Sequence, residues 1–202
     1  MTDPELDPEE PALVKDELRD VLLSRRWART EAERAAAADA VTDALLGGLR
    51  GVGTLAAFVP DSSEPGGGRL PAAFAELGAR VLLPVIPATG RVLDWGVYTG
   101  DLEPGRFGLS HPVGPRLGPT AIGAADAVVV PALAVDRFGF RLGRGGGYYD
   151  RALVHARPDA VLVTVVFDDE RVAELPREVH DRPVRAVVTP SGGWQDLAPH
   201  GG

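Results

Sequence analysis

Residues 141 to 151 run Arg-Leu-Gly-Arg-Gly-Gly-Gly-Tyr-Tyr-Asp-Arg, and these residue types bring together what an anion-binding turn needs. Gly143, Gly145, Gly146 and Gly147 carry no side chains, so successive backbone N–H groups can close around phosphate oxygens. Arg141 and Arg144 add forked donors that match phosphate geometry. An apolar run precedes the segment and a helical pattern follows it. The expected context is therefore strand, loop, helix, with the helix N-terminus lending partial positive charge. This is not a Walker loop, because no Gly-Lys-Ser/Thr follows, and Tyr148 stands where a dinucleotide fingerprint has its third glycine. A glycine-rich solvent loop is the competing reading. Tyr148, Tyr149 and Asp150 speak against it, since a free loop has no use for that packing surface. Asp150 could complement the helix dipole or, beside a phosphate cradle, share in holding Mg2+; the two are compatible.

Lys15 is the only lysine, every other cation being arginine. Its ammonium is a compact point charge suited to phosphate, and it shares a helical face with Arg19 at i and i+4. Asp16, Glu17 and Asp20 surround both, so pattern alone favours a solvated, salt-bridged face. His111, His155, His180 and His200 have no metal-ligand spacing. The chain lacks cysteine, which removes disulfides, thiolate ligands and a cysteine nucleophile, and it lacks the Gly-x-Ser-x-Gly elbow of a serine hydrolase. Alone, His180-Asp181 reads as a loop hydrogen bond or cap.

The elements that must hold these groups are legible from periodicity. A chain of 202 residues with 45% apolar and 25% charged content suits one sizeable domain. Residues 1–10 read as a disordered leader, 11–192 as the domain, and 193–202 as a flexible tail. Apolar Val14, Leu18, Val21 and Leu22 mark a one-stripe helix. Thr30-Glu31-Ala32-Glu33 has the form of a capping box opening a second helix. Short apolar runs at 54–60, 80–86, 92–98, 126–133, 160–167 and 184–189 are expected strands, with helices over 70–79 and from Tyr148. Strands alternating with helices predict an α/β fold, a Rossmann-like open, mostly parallel sheet behind N-terminal helices. The stretch from Gly100 to Gly123 reads as a functional crossing loop or a mobile one. A net charge of −8 argues against broad nucleic-acid binding. The acidic start is unlike a signal peptide and no apolar run approaches a membrane span, so a soluble cytoplasmic protein is expected.

Four ordered segments resemble the 5-formyltetrahydrofolate cyclo-ligase family, also called 5,10-methenyltetrahydrofolate synthetases. They are Lys15-x-x-Leu18-Arg19, residues 128–151 with the glycine loop, the Leu175-Pro176 turn, and residues 180–189. The resemblance covers nearly all of the chain beyond the leader. It implies one Rossmann-like domain, expected to be a monomer, that uses ATP and Mg2+ to close a reduced folate. By position it implies that Lys15 and Arg19 meet the ATP phosphates, and that Arg141, Leu142, Gly143, Arg144, Gly145, Gly146 and Gly147 wrap the triphosphate. Lys15 and Arg144 are the two it makes catalytic. Asp150 and Asp181 match its magnesium acids. Tyr148 and Tyr149 would line the boundary of nucleotide and pterin, Glu64 would bind the folate, and Phe58 would form a pocket wall. The chain departs from the common pattern after Glu64 and at His111, where glutamate is frequent. Two other functions compete: a folate- or nucleotide-binding member without turnover, and an ATP-dependent ligase of this fold on another substrate.

Overall fold

The computed structural model describes residues 10–177 and 181–197, with side-chain surroundings from residue 13 onward. Two helices open the chain, α1 (Glu10–Ala28) and α2 (Glu31–Gly48). Thr30 caps α2 as the sequence predicts: Glu33 N donates to its Oγ1 at 3.2 Å, and Thr30 N donates back to the Glu33 carboxylate at 2.7 Å. Then come β1 (Thr54–Ala56), α3 (Leu70–Glu76), β2 (Arg80–Val85), β3 (Asp94–Val97), β4 (Leu102–Pro104) and β5 (Ser110–Pro112). The second half holds β6 (Ala127–Pro131), β7 (Ala134–Asp136), β8 (Arg141–Leu142), α4 (Tyr148–Leu153), β9 (Val161–Val165), β10 (Arg171–Val172), β11 (Ala186–Thr189) and β12 (Gly193–Asp196).

The central sheet has seven strands in the order β12-β11-β9-β6-β1-β2-β3. Its five inner strands are parallel, and β3 and β12 close the edges antiparallel. This is the mostly parallel α/β sheet expected. Val128 and Val130 of β6 face a layer with Trp95, Ile122 and Leu153, while Val129 faces another with Val41, Leu45 and Phe74. Both faces are covered, which is why β6 is apolar at every position instead of alternating.

Topology decides where a ligand can sit. From β1 the chain builds outward to β2 and β3, then crosses back to lay β6, β9 and β11 on the other side of β1. Strand order therefore reverses between β1 and β6. In open α/β sheets the ligand crevice lies at such a reversal, beyond the carboxyl ends of the strands. The segments leaving those two ends carry Phe58 to Glu64 and the path to the glycine loop.

A smaller sheet, β10-β7-β8, supports that path. Buried Asp136 organises it: its carboxylate accepts from Phe138 N and Phe140 N at 2.9 Å each and from Leu175 N at 3.2 Å. Helix α1 docks here through Leu22, which is buried among Leu133, Ala134, Leu142 and Leu175. Arg26, fully buried on the same helix, forks onto Glu170 at 2.6 and 2.7 Å and donates to Ala132 O at 2.7 Å.

Two expectations change. Residues 100–123 are not a plain loop: β4 and β5 pair as a hairpin, and a short helical turn, Pro119–Ala124, follows. The hairpin is short and rich in Gly and Pro, so it shows no period for sequence to display. Nor does the domain stop at 192, because Gly193–Asp196 pairs with β11 and Trp194 packs against the end of α2. The expected leader, apart from Glu10, and residues 198–202 of the expected tail lie outside the described residues. No helix among the described residues is long and apolar enough to cross a membrane.

Candidate active site

The glycine loop lies between β8 and α4, and its backbone explains its composition. Gly145 and Gly147 have φ of +84° and +64°, in the left-handed region that side chains disfavour. A Cβ on Gly147 would also stand 2.8 Å from Arg151 Nη2. Helix α4 begins directly after, so the strand-loop-helix context holds, although α4 is only six residues long.

Helix α1 supplies a cation from far away in sequence. Arg19 Nε donates to Gly143 O at 2.9 Å, and its guanidinium lies 3.5 Å from where a Gly145 Cβ would be. Arg19 also pairs with Asp16. Lys15 stands one turn earlier on the same face, half-buried, so its side of α1 is not the fully solvated surface that charge pattern alone suggests. Leu142 is buried in the α1 contact and acts as the loop's anchor.

The two loop arginines point to different partners. Arg141, 5% exposed, donates from Nη2 to Asp150 Oδ1 at 2.5 Å and from Nη1 to Arg182 O at 2.8 Å. Burial pulls this guanidinium below its ordinary value, while the charges of Asp150 and Asp181 oppose that pull. Both acids thus gather around one cation. Arg182, next to Asp181 in sequence, donates to the carbonyls of Leu153, Ala156 and Arg157 at 3.0, 3.1 and 2.7 Å, at the end of α4. His180, the neighbour of Asp181, lies outside the described residues.

Arg144 crosses the crevice instead. Its Nη2 donates to Asp61 Oδ2 at 2.5 Å and to Glu64 Oε1 at 3.3 Å, joining the glycine loop to the segment after β1. Glu64 is buried, and Asp61 N donates to its Oε2 at 3.0 Å. Burial first, and then the Asp61 charge, push the Glu64 carboxyl above the usual carboxylate range, against the pull of Arg144. Burial acts on Asp61 too, but hydrogen bonds from Ser63 and the charge of Arg144 outweigh it and hold that carboxyl below its ordinary value.

The aromatic residues pack on the two faces of the sheet. Phe58 is buried in the sheet-face layer against which Tyr149 packs, and Tyr148 packs on the opposite layer. The Tyr149 hydroxyl is buried with no hydrogen-bond partner among the described residues. Burial and the nearby Glu64 charge raise its pKa, so it remains a protonated donor.

Among the described residues, no group of three or more His, Cys, Asp or Glu could hold a metal ion. Asp150 and Asp181 both lie near Arg141, and carboxylates in ones or twos are what Mg2+ uses together with water and substrate phosphate. Asp61, Arg26, Glu170 and Arg182 were not evident from sequence. Only Asp61 carried a local signal, as an acid three residues before Glu64 directly after an expected strand.

Comparison with known proteins agrees with this geometry. The model of the 5-formyltetrahydrofolate cyclo-ligase family matches residues 12–190. A Mycolicibacterium smegmatis protein named 5-formyltetrahydrofolate cyclo-ligase is 48% identical over 185 residues, 89% of this chain and 95% of that one. Its Escherichia coli namesake is 34% identical over 124 residues, 58% of this chain and 67% of that one. The solved 5,10-methenyltetrahydrofolate synthetase of Aquifex aeolicus superposes with a TM-score of 0.75 at 28% identity, covering 94% of this chain and 95% of that one. That of Mycoplasma pneumoniae, 16% identical, shares the fold with a TM-score of 0.68 over 86% of this chain and 96% of that one. The crevice at the β1/β6 reversal, the loop across it and these matches lead to one conclusion: the chain belongs to the 5-formyltetrahydrofolate cyclo-ligase family.

Proposed function

We propose that the protein closes 5-formyltetrahydrofolate to 5,10-methenyltetrahydrofolate, consuming ATP with Mg2+ and releasing ADP and phosphate. The observation that supports this best is Arg144, whose guanidinium bridges the glycine loop and the Asp61–Glu64 acids across the β1/β6 crevice. A phosphate cradle and a buried carboxylate thus stand within one side chain of each other. Such proximity suits a reaction in which a phosphoryl group passes to a substrate lying beside the nucleotide.

In this reading the formyl oxygen attacks the γ-phosphorus and ADP leaves, giving an N5-iminium phosphate. N10 then attacks the activated carbon and gives up its proton, and inorganic phosphate departs as the C–O bond breaks. Positioning and charge stabilisation carry such a transfer, and no covalent nucleophile is required. Lys15 and Arg19 meet the phosphates from α1, residues 141–147 wrap them, and Arg144 stabilises charge on the transferring group. Glu64 accepts from the donor-rich edge of the pterin, with Phe58, Tyr148 and Tyr149 as walls. Asp150 and Asp181 would hold Mg2+, which when bound neutralises phosphate oxygens.

Ultraviolet absorbance of the purified protein tests this. A methenyl product band should appear only with 5-formyltetrahydrofolate, ATP and Mg2+ together. ATP hydrolysis without that band under the same conditions would sink the proposal.

A further inference from the structure

Arg144 has two demands on it. In this structure one nitrogen, Nη2, holds both Asp61 at 2.5 Å and Glu64 at 3.3 Å. A phosphate in the glycine loop would compete with the two acids for the same guanidinium. The side chain is 47% exposed and flanked by Gly143 and Gly145, so among the described residues no packed neighbour closes off its loop side. The two acids differ in what they offer. Glu64 is buried, its Oε2 occupied by Asp61 N, so Oε1 is the atom it shares between Arg144 and any incoming donor. Asp61 makes the shorter bond, and hydrogen bonds from Ser63 N at 2.7 Å and Ser63 Oγ at 2.6 Å fix its carboxylate.

We infer that Asp61 is a positioning residue that holds Arg144 over Glu64, and that reduced folate at Glu64 releases Arg144 toward the nucleotide. This rests on the function proposed above. A donor pair arriving at Glu64 takes Oε1 and occupies the space under the guanidinium. Arg144 is left with one acid, in a half-exposed pair of modest strength, and a triphosphate is the stronger competitor. Folate and ATP binding are then linked, and the linkage is reciprocal: each ligand strengthens the other by the same factor.

The test uses the full-length protein, an imido analogue of ATP that cannot transfer its γ-phosphoryl, and Mg2+. Calorimetry gives the analogue's affinity with and without saturating 5-formyltetrahydrofolate, for the wild type and for Asp61→Asn. Asparagine keeps an oxygen for the two Ser63 bonds and removes the charge that holds Arg144. Folate should tighten the analogue on the wild type about two- to fivefold, the range of a half-exposed ion pair. Asp61→Asn should bind the analogue tighter than wild type when folate is absent, and folate should then add less. A purely structural role for Asp61 predicts the opposite sign, weaker binding together with a lower melting temperature, and that result would overturn the inference. So would a wild type whose analogue affinity ignores folate while it still makes the methenyl product. A wild type that makes no methenyl product overturns the proposed function, and this inference with it.

Discussion

At the scale of single residues the crevice sets Arg144 against Asp61 and Glu64, with the Tyr149 hydroxyl near Glu64. Glu64 is the acid there whose carboxyl is raised, by burial first and then by the Asp61 charge. Folded Glu64 holds its proton more tightly than the unfolded chain does. Stability therefore declines as pH rises from the ordinary carboxylate range through its raised value, and that loss is complete above it. The proposed folate binding favours the other form, because the ionised carboxylate is the stronger acceptor for the pterin edge. Affinity for 5-formyltetrahydrofolate should thus fall on acidification with a midpoint above the usual carboxylate range. Glu64→Gln should weaken binding roughly ten- to hundredfold at neutral pH, as expected for losing a charged hydrogen-bond acceptor, and should flatten the profile. Fluorescence titration across pH checks both, and an unchanged profile in Glu64→Gln would remove Glu64 from the folate site.

At the scale of elements, α1 is the helix that reaches the glycine loop from the far end of the sequence. It brings Arg19 to the loop, and Leu22 and the buried Arg26–Glu170 pair hold it down. Leu22→Ala should lower stability by about 2–5 kcal/mol, since the removed atoms sit in a closed cluster. Arg26→Ala should lower it by about 3–5 kcal/mol, because it strands the Glu170 carboxylate in the interior. Replacing both partners together, Arg26→Met with Glu170→Met, should be markedly milder than Arg26→Ala. Urea unfolding midpoints read all three, and an Arg26→Ala no worse than the double variant would show that the pair is not what fastens α1. Sequence could find the helix but not its fastening. The apolar stripe has a period; the arginine that anchors it looks like any other in a charged helix.

At the scale of the whole molecule, the edge strand β12 closes the fold over α2. A Cβ on Gly48 would fall 2.2 Å from Trp194 Cε3, so the helix end and the strand meet with no room for a methyl group. Gly48→Ala should therefore lower stability by about 1–3 kcal/mol through overpacking. Trp194→Ala in the same background should relieve part of that loss; thermal melts that add without relief would place the strain elsewhere. Several features were determined by the sequence alone: the mostly parallel apolar strands, the Thr30 cap, the strand-loop-helix setting of the glycines and the absence of cysteine chemistry. Each rests on preferences that act within about ten residues, where backbone sterics and burial period leave a mark. The meeting of distant charges belongs to the tertiary structure. Arg144 and Asp61 are 83 positions apart, Arg19 and Gly143 are 124, and Arg26 and Glu170 are 144. An arginine in this chain faces 29 acidic residues, and attraction between charges selects by distance in space, with no periodicity for a sequence to carry. The order of strands made that selection, by turning back between β1 and β6.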